Sequence, residues 1–480
     1  MSLSDLTLAD WRDRAAKLKF ETRHFIDGEY VDSVKGGRFT VVNPATGRPL
    51  CEVSAGTAAD VDRAVASAKR CFQSRAWSRM APRDRMGVLA RLSCLLEAHA
   101  EQFALLDTLC MGKPIRDMLS IDIPSAAQNF AYFGELIDKI DGAVTATAAD
   151  AFHYILREPL GVVGCIVPWN YPLLMAAWKI APALAAGNCV VLKPAEQSPL
   201  TAIRLEELWR EAGGPAGAFQ VLTTADPAAV SAVFFDDPAI RKLTFTGSTE
   251  VGVLLAAQAA KTVKRVSLEL GGNAPFLVFD DADLEAAVRE VAASKFRNTG
   301  QTCVCANRIY VQAGVYDAFA ARLAEVVRGL RVGDPMDPAT QVGPLVDRQG
   351  HAKVASHVED ALAKGARALV GGAARDGLFF DPTVLVDVAA GMRILQEETF
   401  GPIAPLVKFT ADADAVAQAN GTPFGLAAYL WTRDLTRAFR VSEALDFGIV
   451  GVNDGVPSTP QAPFGGVKAS GLGREGGKWG

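Results

Sequence analysis

Histidine is scarce in this sequence, with five in 480 residues. That leaves little material for a histidine-based metal centre. The eight cysteines supply no substitute: apart from Cys303 and Cys305 they stand singly, in spacings that fit neither a zinc site nor a disulfide framework. No metal site is expected, and reduced thiols in the cytoplasm are the natural reading. Basic excess is missing too. A net charge of -5 and a pI near 5.7 exclude the electrostatic footprint of a nucleic-acid binder. No window approaches the roughly 18 uninterrupted apolar residues of a membrane span; residues 180–192 are apolar but broken by Pro182, Gly187 and Asn188. Residues 1–19 carry Asp5, Asp10, Trp11 and Asp13 without the apolar segment of a signal peptide, so none is expected. Internal repeats and low-complexity tracts are also lacking.

What is present is a globular composition, 50% hydrophobic and 21% charged, on a chain long enough for two or three domains. From about residue 160, short β-rich runs alternate with helical stretches. Residues 162–167 read as a buried strand, 173–186 as a helix, 190–192 as a strand and 201–212 as a helix ended by Gly213 and Gly214. Strands are expected at 220–222, 242–245 and 266–268. The alternation resumes with a strand at 276–279, a helix at 283–296 with Asp280 and Asp281 as candidate caps, and strands at 309–311, 383–385 and 428–431. Such alternation points to parallel βαβ units and doubly wound sheets, in two α/β lobes joined near residues 269–272. Residues 78–110 read as one long amphipathic helix, broken if anywhere near Pro82.

Two stretches carry the chemistry. Gly300-Gln-Thr-Cys303-Val-Cys-Ala-Asn places a thiol on a polar, glycine-containing loop after a helical stretch. Leu268-Glu269-Leu-Gly-Gly places a carboxylate at the end of a β-like run. A thiol needs help to become a thiolate, so a cysteine nucleophile and a carboxylate base make sense of each other. Each residue also has a plain structural reading: a lone cysteine is usually inert, and Glu269 could sit exposed on an edge strand. Cys305, two residues on, would point to the opposite side of an extended run and serve structure. Lys193-Pro-Ala-Glu196 follows a strand, where parallel sheets bind ligands; the pair could bond ribose hydroxyls, with Glu196 repelling a 2′-phosphate, or could be a solvated charge pair. Phe245-Thr-Gly247-Ser248 opens a helical run where backbone N–H groups can meet a pyrophosphate. A literal G-x-G-x-x-G at Gly471, Gly473 and Gly476 is rejected as a cofactor loop, since it follows no strand and too little chain remains for a helix and second strand. Asn170, in Pro168-Trp169-Asn170, could donate to a developing oxyanion together with the Cys303 backbone N–H, or could cap a helix.

Assembled in order, Pro168-Trp-Asn170, Lys193-Pro-Ala-Glu196, Phe245-Thr-Gly-Ser-Thr-Glu, Leu268-Glu-Leu-Gly-Gly, Gly300-Gln-Thr-Cys303, Glu397-Glu-Thr-Phe-Gly-Pro402 and Pro463-Phe-Gly-Gly make the chain resemble the aldehyde dehydrogenase superfamily nearly end to end. The resemblance implies an α/β fold of two doubly wound, Rossmann-like domains plus a small β oligomerisation arm. It assigns residues 1–139 and 160–269 to NAD binding, 270–480 to catalysis and 140–159 to the arm. Cys303 would attack the aldehyde to give a thiohemiacetal and then a thioester, Asn170 would hold the oxyanion, and Glu269 would activate water. Lys179 and Glu475 match a proton relay. Trp169, Lys193, Glu196, Gly247, Ser248, Glu398 and Phe400 would contact the cofactor, NAD in preference to NADP.

For the substrate, a small aldehyde, residues 296–307 resemble the succinate-semialdehyde dehydrogenase branch. There Arg297 and Ser458 match positions that hold a distal carboxylate, for which a guanidinium is well suited. Trp178 stands where that branch carries a second arginine. With Gly112-Lys-Pro-Ile-Arg and Asp122-Ile-Pro it resembles dehydrogenases of ω-amino and γ-glutamylamino aldehydes. The alternatives are an acylating or esterase-like thiol enzyme on the same fold, against which Glu269 argues, and a non-catalytic structural relative. A homodimer or homotetramer is implied. The family's C-terminal strand has no counterpart after Gly480, so an open sheet edge is expected there.

Overall fold

The computed structural model describes residues 3–480, so the first two residues of the expected 1–139 segment and of the signal-peptide reading lie outside it. An eight-stranded sheet runs in the order Gly471–Leu472, Arg265–Glu269, Ile240–Thr246, Val162–Ile166, Cys189–Lys193, Phe219–Val221, His24–Ile26, Glu29–Val31. Its five middle strands from Arg265–Glu269 to Phe219–Val221 are parallel, and the flanking ones antiparallel. Val162–Ile166 and Cys189–Lys193 are buried at every position, which is why they read as unbroken apolar runs rather than alternating ones. Chain order reverses between Val162–Ile166 and Ile240–Thr246, and the crevice past the carboxyl ends of such a pair is where open α/β sheets take ligands.

The second sheet, of seven strands, runs Arg367–Val370, Thr383–Val386, Ile403–Phe409, Ala306–Gln312, Ala274–Val278, Ala427–Trp431, Ile449–Val452, parallel except at the first edge. Residues 270–273 carry the chain from Glu269, the last residue of a strand in one sheet, to Ala274, the first of a strand in the other. The carboxyl end of the first sheet therefore faces the amino end of the second. Residues 140–159 form a small hairpin, Ala143–Thr145 against His153–Ile155, with Val144, Phe152, Tyr154 and Leu156 exposed. No helix among the described residues is long and apolar enough to cross a membrane.

Two expectations are corrected. The stretch at 78–110 is two helices, Pro82–Ala98 and Ala100–Met111, hinged at His99, which neither glycine nor proline marks. The helix Leu284–Phe296 is capped by Asp283, whose carboxylate accepts from Ala286 N–H at 3.1 Å. Asp281 cannot cap it, being occupied by the Thr432 hydroxyl and the backbone of Arg433 and Asp434.

One core group makes stability pH-dependent. Glu206, on the helix Leu200–Glu211, is fully buried with both carboxyl oxygens unpartnered among the described residues. Burial pushes its pKa up to about 9, so the fold holds the neutral acid while the unfolded chain ionises above the ordinary glutamate range. Between those two pKa values the folded state binds the extra proton, and stability falls as pH rises. Glu206→Gln is expected to flatten that decline, read as a smaller loss of melting temperature from pH 5 to pH 8.5 than the parent shows. Parallel declines would remove Glu206 from the account.

Candidate active site

A cavity of about 500 Å³ opens where the two sheets meet. Its wall contains Cys303, Glu269, Asn170, Glu475, Trp169, Gly247, Ser248, Glu398, Phe400, Trp178, Arg297 and Ser458. Of the residues expected from sequence, Lys179 lies just behind the wall, paired to Glu475. Lys193, the last residue of its strand, and Glu196, three residues past it, lie outside the wall.

Cys303 is presented by a loop in an unusual conformation. Asn298, Thr299 and Gly300 are all left-handed, with φ of 49°, 59° and 73°. Two non-glycine residues there are strained unless their surroundings hold them. The restraints are on hand: Asn298 Nδ2 donates to the carbonyls of Asn170 (2.9 Å) and Gln301 (3.2 Å), Val346 N–H donates to Gln301 Oε1 (2.9 Å), and Tyr171 OH pairs with Thr302 Oγ1 (2.9 Å). Gly300 admits no side chain, since a Cβ would fall 2.1 Å from the Gly401 carbonyl oxygen; a Cβ on Gly272 would fall 2.5 Å from that of Cys303. The Cys303 thiol is half-buried. Burial, then the Glu398 and Glu269 carboxyls, push its pKa up, so at rest it is a protonated thiol that needs a base. Cys305 is buried behind the loop, its Sγ 3.5 Å from Lys295 Nζ and from the Gly300 carbonyl.

Glu269 is 3% exposed and neither carboxyl oxygen has a hydrogen-bond partner among the described residues. Burial, reinforced by Glu475, holds its pKa well above the carboxylate range, the tuning a general base near neutrality requires. Lys179 Nζ donates to Glu475 Oε1 at 2.5 Å and to Thr244 Oγ1 at 3.2 Å, and Thr244 donates to the same Glu475 oxygen at 3.1 Å. This buried chain lies beside Glu269. Asn170 Nδ2 donates to the Gln301 carbonyl at 3.0 Å, which uses one of its two amide hydrogens and leaves the other for a ligand. It is not a cap: Tyr171 precedes the helix Pro172–Ala185.

On one side of Cys303 the wall combines aromatic rings, a buried carboxyl and the capped start of a helix. Trp169 meets Phe400 edge-to-face at 5.6 Å. Glu398 Oε1 accepts from Gly272 N–H at 3.0 Å, and burial pushes its carboxyl up to about 7. Ser248 caps the helix Thr249–Lys261, its Oγ accepting from Val251 N–H at 3.3 Å. On the other side Trp178 meets Phe464 edge-to-face at 5.2 Å. Arg297 lines the cavity without a hydrogen bond or ion pair to any described residue, its nearest aromatic being Tyr171, 6.0 Å from guanidinium carbon to ring centroid. Behind them Lys113, ion-paired with buried Asp122, sits 3.3 Å from the Tyr171 ring centroid.

Sequence reasoning missed Tyr171, Gln301 and Thr302 as supports of the cysteine loop, and Ser125, Gln128 and Asn129 in the cavity wall. The last three were detectable: at spacings of three and four residues they fall on one face of a helix.

A family model described as "Aldehyde dehydrogenase family" matches residues 30–480. The chain is 49% identical over 464 residues to the succinate-semialdehyde dehydrogenase [NADP(+)] of Escherichia coli, covering 96% of this chain and 95% of that one. It is 46% identical over 462 residues to the glutarate-semialdehyde dehydrogenase of Pseudomonas putida, covering 96% and 95%. The solved structure of γ-glutamyl-γ-aminobutyraldehyde dehydrogenase from Burkholderia cenocepacia superposes with a TM-score of 0.96 at 41% identity, over 99% of this chain and 97% of that one.

Proposed function

The chain belongs to the aldehyde dehydrogenase family, and from that premise we propose that it oxidises a semialdehyde with a distal carboxylate, such as succinate semialdehyde. The observation that carries the substrate reading is Arg297: a cavity-lining guanidinium with no hydrogen-bonded or ion-paired anion among the described residues, Asp122 and Asp117 acting on it only from farther off, in the same wall as Ser458 and Cys303. A charge so placed is satisfied by a ligand anion. The relatives that act on succinate and glutarate semialdehydes support the same class.

In this reading Cys303 Sγ adds to the aldehyde carbon as its proton passes to water in the cavity, and Glu269 is held for the hydrolytic step. The second Asn170 amide hydrogen and the Cys303 backbone N–H steady the oxyanion. Bound NAD supplies the hydride acceptor. Glu269 then takes a proton from water, whose oxygen attacks the Cys303 thioester; the acid leaves and the thiolate returns. Glu475 and Lys179 pass the proton on from Glu269. The residues fit a nicotinamide dinucleotide. Lys193 is 3% exposed and its ammonium donates to the Pro194 carbonyl at 2.9 Å, leaving donors for a ribose, with Glu196 4.0 Å away. The Ser248-capped helix suits the pyrophosphate, and Trp169, Gly247, Glu398 and Phe400 the nicotinamide end. The carboxylate of Glu196 disfavours a 2′-phosphate, so NAD is the preferred cofactor. Glu196→Ser is expected to narrow the ratio of kcat/KM with NAD to that with NADP about tenfold; an unchanged ratio would refute the assignment.

The test of the substrate reading is NADH formation with succinate semialdehyde, glutarate semialdehyde, an ω-aminoaldehyde and a plain aliphatic aldehyde, with Arg297→Ala in parallel. The variant should raise KM for the two semialdehydes about 100-fold, the loss of one charged hydrogen-bonding partner, and leave the aliphatic aldehyde within a factor of two. The second reading, an ω-amino or γ-glutamylamino aldehyde dehydrogenase, is favoured by the Trp178–Phe464 wall, whose rings can face an ammonium group. It wins if the aminoaldehyde is the better substrate and Arg297→Ala is neutral.

Residues 1–139 and 160–269 are taken as the cofactor-binding domain and 270–480 as the catalytic one. The exposed side chains of the 140–159 hairpin, Phe152 above all, are taken as the assembly contact of a homodimer or homotetramer.

A further inference from the structure

Six polar atoms in the cavity wall are buried and without hydrogen-bond partners among the described residues: the two carboxyl oxygens of Glu269, Thr246 Oγ1, and three on the substrate side that differ in sign. Arg297 Nε–H and Trp178 Nε1–H are donors; Asn129 Oδ1 is an acceptor. Trp178 is 5% exposed and Asn129 1%. Asn129 Nδ2 donates one of its hydrogens to the Ser125 carbonyl at 2.8 Å, and its carbonyl oxygen is the end with no partner among the described residues. Asn129 stands on the helix Ile123–Leu136 and Trp178 on the helix Pro172–Ala185, which pack side by side. Buried polar atoms left unpaired cost free energy, and in the wall of a binding cavity a ligand of the matching sign can pair them.

A distal carboxylate can satisfy the two donors. It cannot satisfy Asn129, because a carboxylate has no hydrogen to give. We propose that the preferred substrate carries a hydrogen-bond donor as well as its anion: a hydroxyl or an amide or amine N–H on the chain between aldehyde and carboxylate, received by Asn129 Oδ1, with Trp178 Nε1–H joining Arg297 on the anion. Trp178 is then the second donor of the anion site. The inference rests on the semialdehyde reading and narrows it to hydroxy- or amino-substituted members of the class. It would also reconcile the semialdehyde and γ-glutamylamino resemblances, since a γ-glutamylamino aldehyde has both groups.

The experiment compares kcat/KM for succinate semialdehyde with that for its hydroxy-substituted counterparts, each isomer and enantiomer separately, and repeats the comparison with a plain and a hydroxylated aliphatic aldehyde lacking the carboxylate. The intact enzyme should favour at least one hydroxylated carboxy aldehyde by about tenfold, one hydrogen bond's worth, mainly through KM. Asn129→Leu should abolish that preference, raising KM for the hydroxylated member about tenfold more than for unsubstituted succinate semialdehyde. Trp178→Phe, which keeps the ring against Phe464, should raise KM for both carboxy aldehydes by a larger factor than for the plain aliphatic one. The intact enzyme preferring the unsubstituted aldehyde over every hydroxylated form would overturn the proposal, and needs no variant to fold. So would an Asn129→Leu enzyme that loses activity equally on both members of a pair. If Arg297→Ala leaves the semialdehydes unaffected yet the hydroxylated aliphatic aldehyde still outperforms the plain one in an Asn129-dependent way, the carboxylate reading has failed and the donor subsite stands.

Discussion

Cys303→Ala is expected to lower kcat by about four orders of magnitude or more, the scale set by removing a nucleophile from a covalent mechanism, while NAD affinity stays within about twofold. The two halves of that result have separate causes. Turnover falls because no other thiol can take over. Cys305 is the only other cysteine nearby in sequence, and it is 1% exposed with its sulfur turned toward Lys295, Gly300 and Asn307. Cofactor binding survives because Trp169, Gly247, Ser248 and Phe400 form their part of the wall independently of the thiol. The melting temperature should change little, since Cys303 faces the cavity. The measurements are NADH formation and fluorescence titration with NAD. Substantial turnover in the variant would remove Cys303 from the mechanism.

Glu269→Gln is expected to separate the two halves of the reaction. The amide has the size of the acid but cannot take a proton from water, and loss of a positioned base costs about 10²–10⁴-fold. Stopped-flow mixing should give a burst of NADH approaching one per active site, then a slow phase limited by thioester hydrolysis. The pH profile supplies a second readout. Burial and Glu475 raise the Glu269 pKa, and the working base is the deprotonated form. Parent kcat should therefore rise with pH through that raised pKa and level off above it. In Glu269→Gln the rising limb should vanish. An unchanged steady-state rate or an unchanged limb would assign the base elsewhere.

How much of this was legible in the sequence depends on whether the signal was local. The strand at 162–167 and the helix at 173–186 were found to within about a residue at each end, because a run of apolar residues ended by turn-formers is local information. Cys303 and Glu269 stood out because each is a reactive group within three residues of a glycine, in a place where neither burial nor solvation explains it easily. The hinge at His99 was not legible: the backbone turns there without Gly or Pro, under tertiary contacts. Asn298 and Thr299 likewise adopt left-handed φ in residues that do not favour it, a conformation imposed by Asn170 and the loops packed around them. The pairing of Tyr171 with Thr302, 131 positions apart, exists only once the sheet ends meet. Arg297 was found by resemblance, but its lack of a hydrogen-bonded or ion-paired partner among the described residues is a fact of the folded chain, as are the unpaired Asn129 Oδ1 and Trp178 Nε1.

The central claim is that the aldehyde carbon becomes covalently bound to Cys303. The most direct measurement is mass spectrometry of Glu269→Gln protein quenched in acid milliseconds after mixing with NAD and succinate semialdehyde, followed by peptide mapping. The account predicts one succinyl adduct per chain, on the peptide containing Cys303 and on that sulfur, absent when NAD is omitted. NADH formed in a burst with Cys303 unmodified, or with the adduct on Cys305, would contradict it.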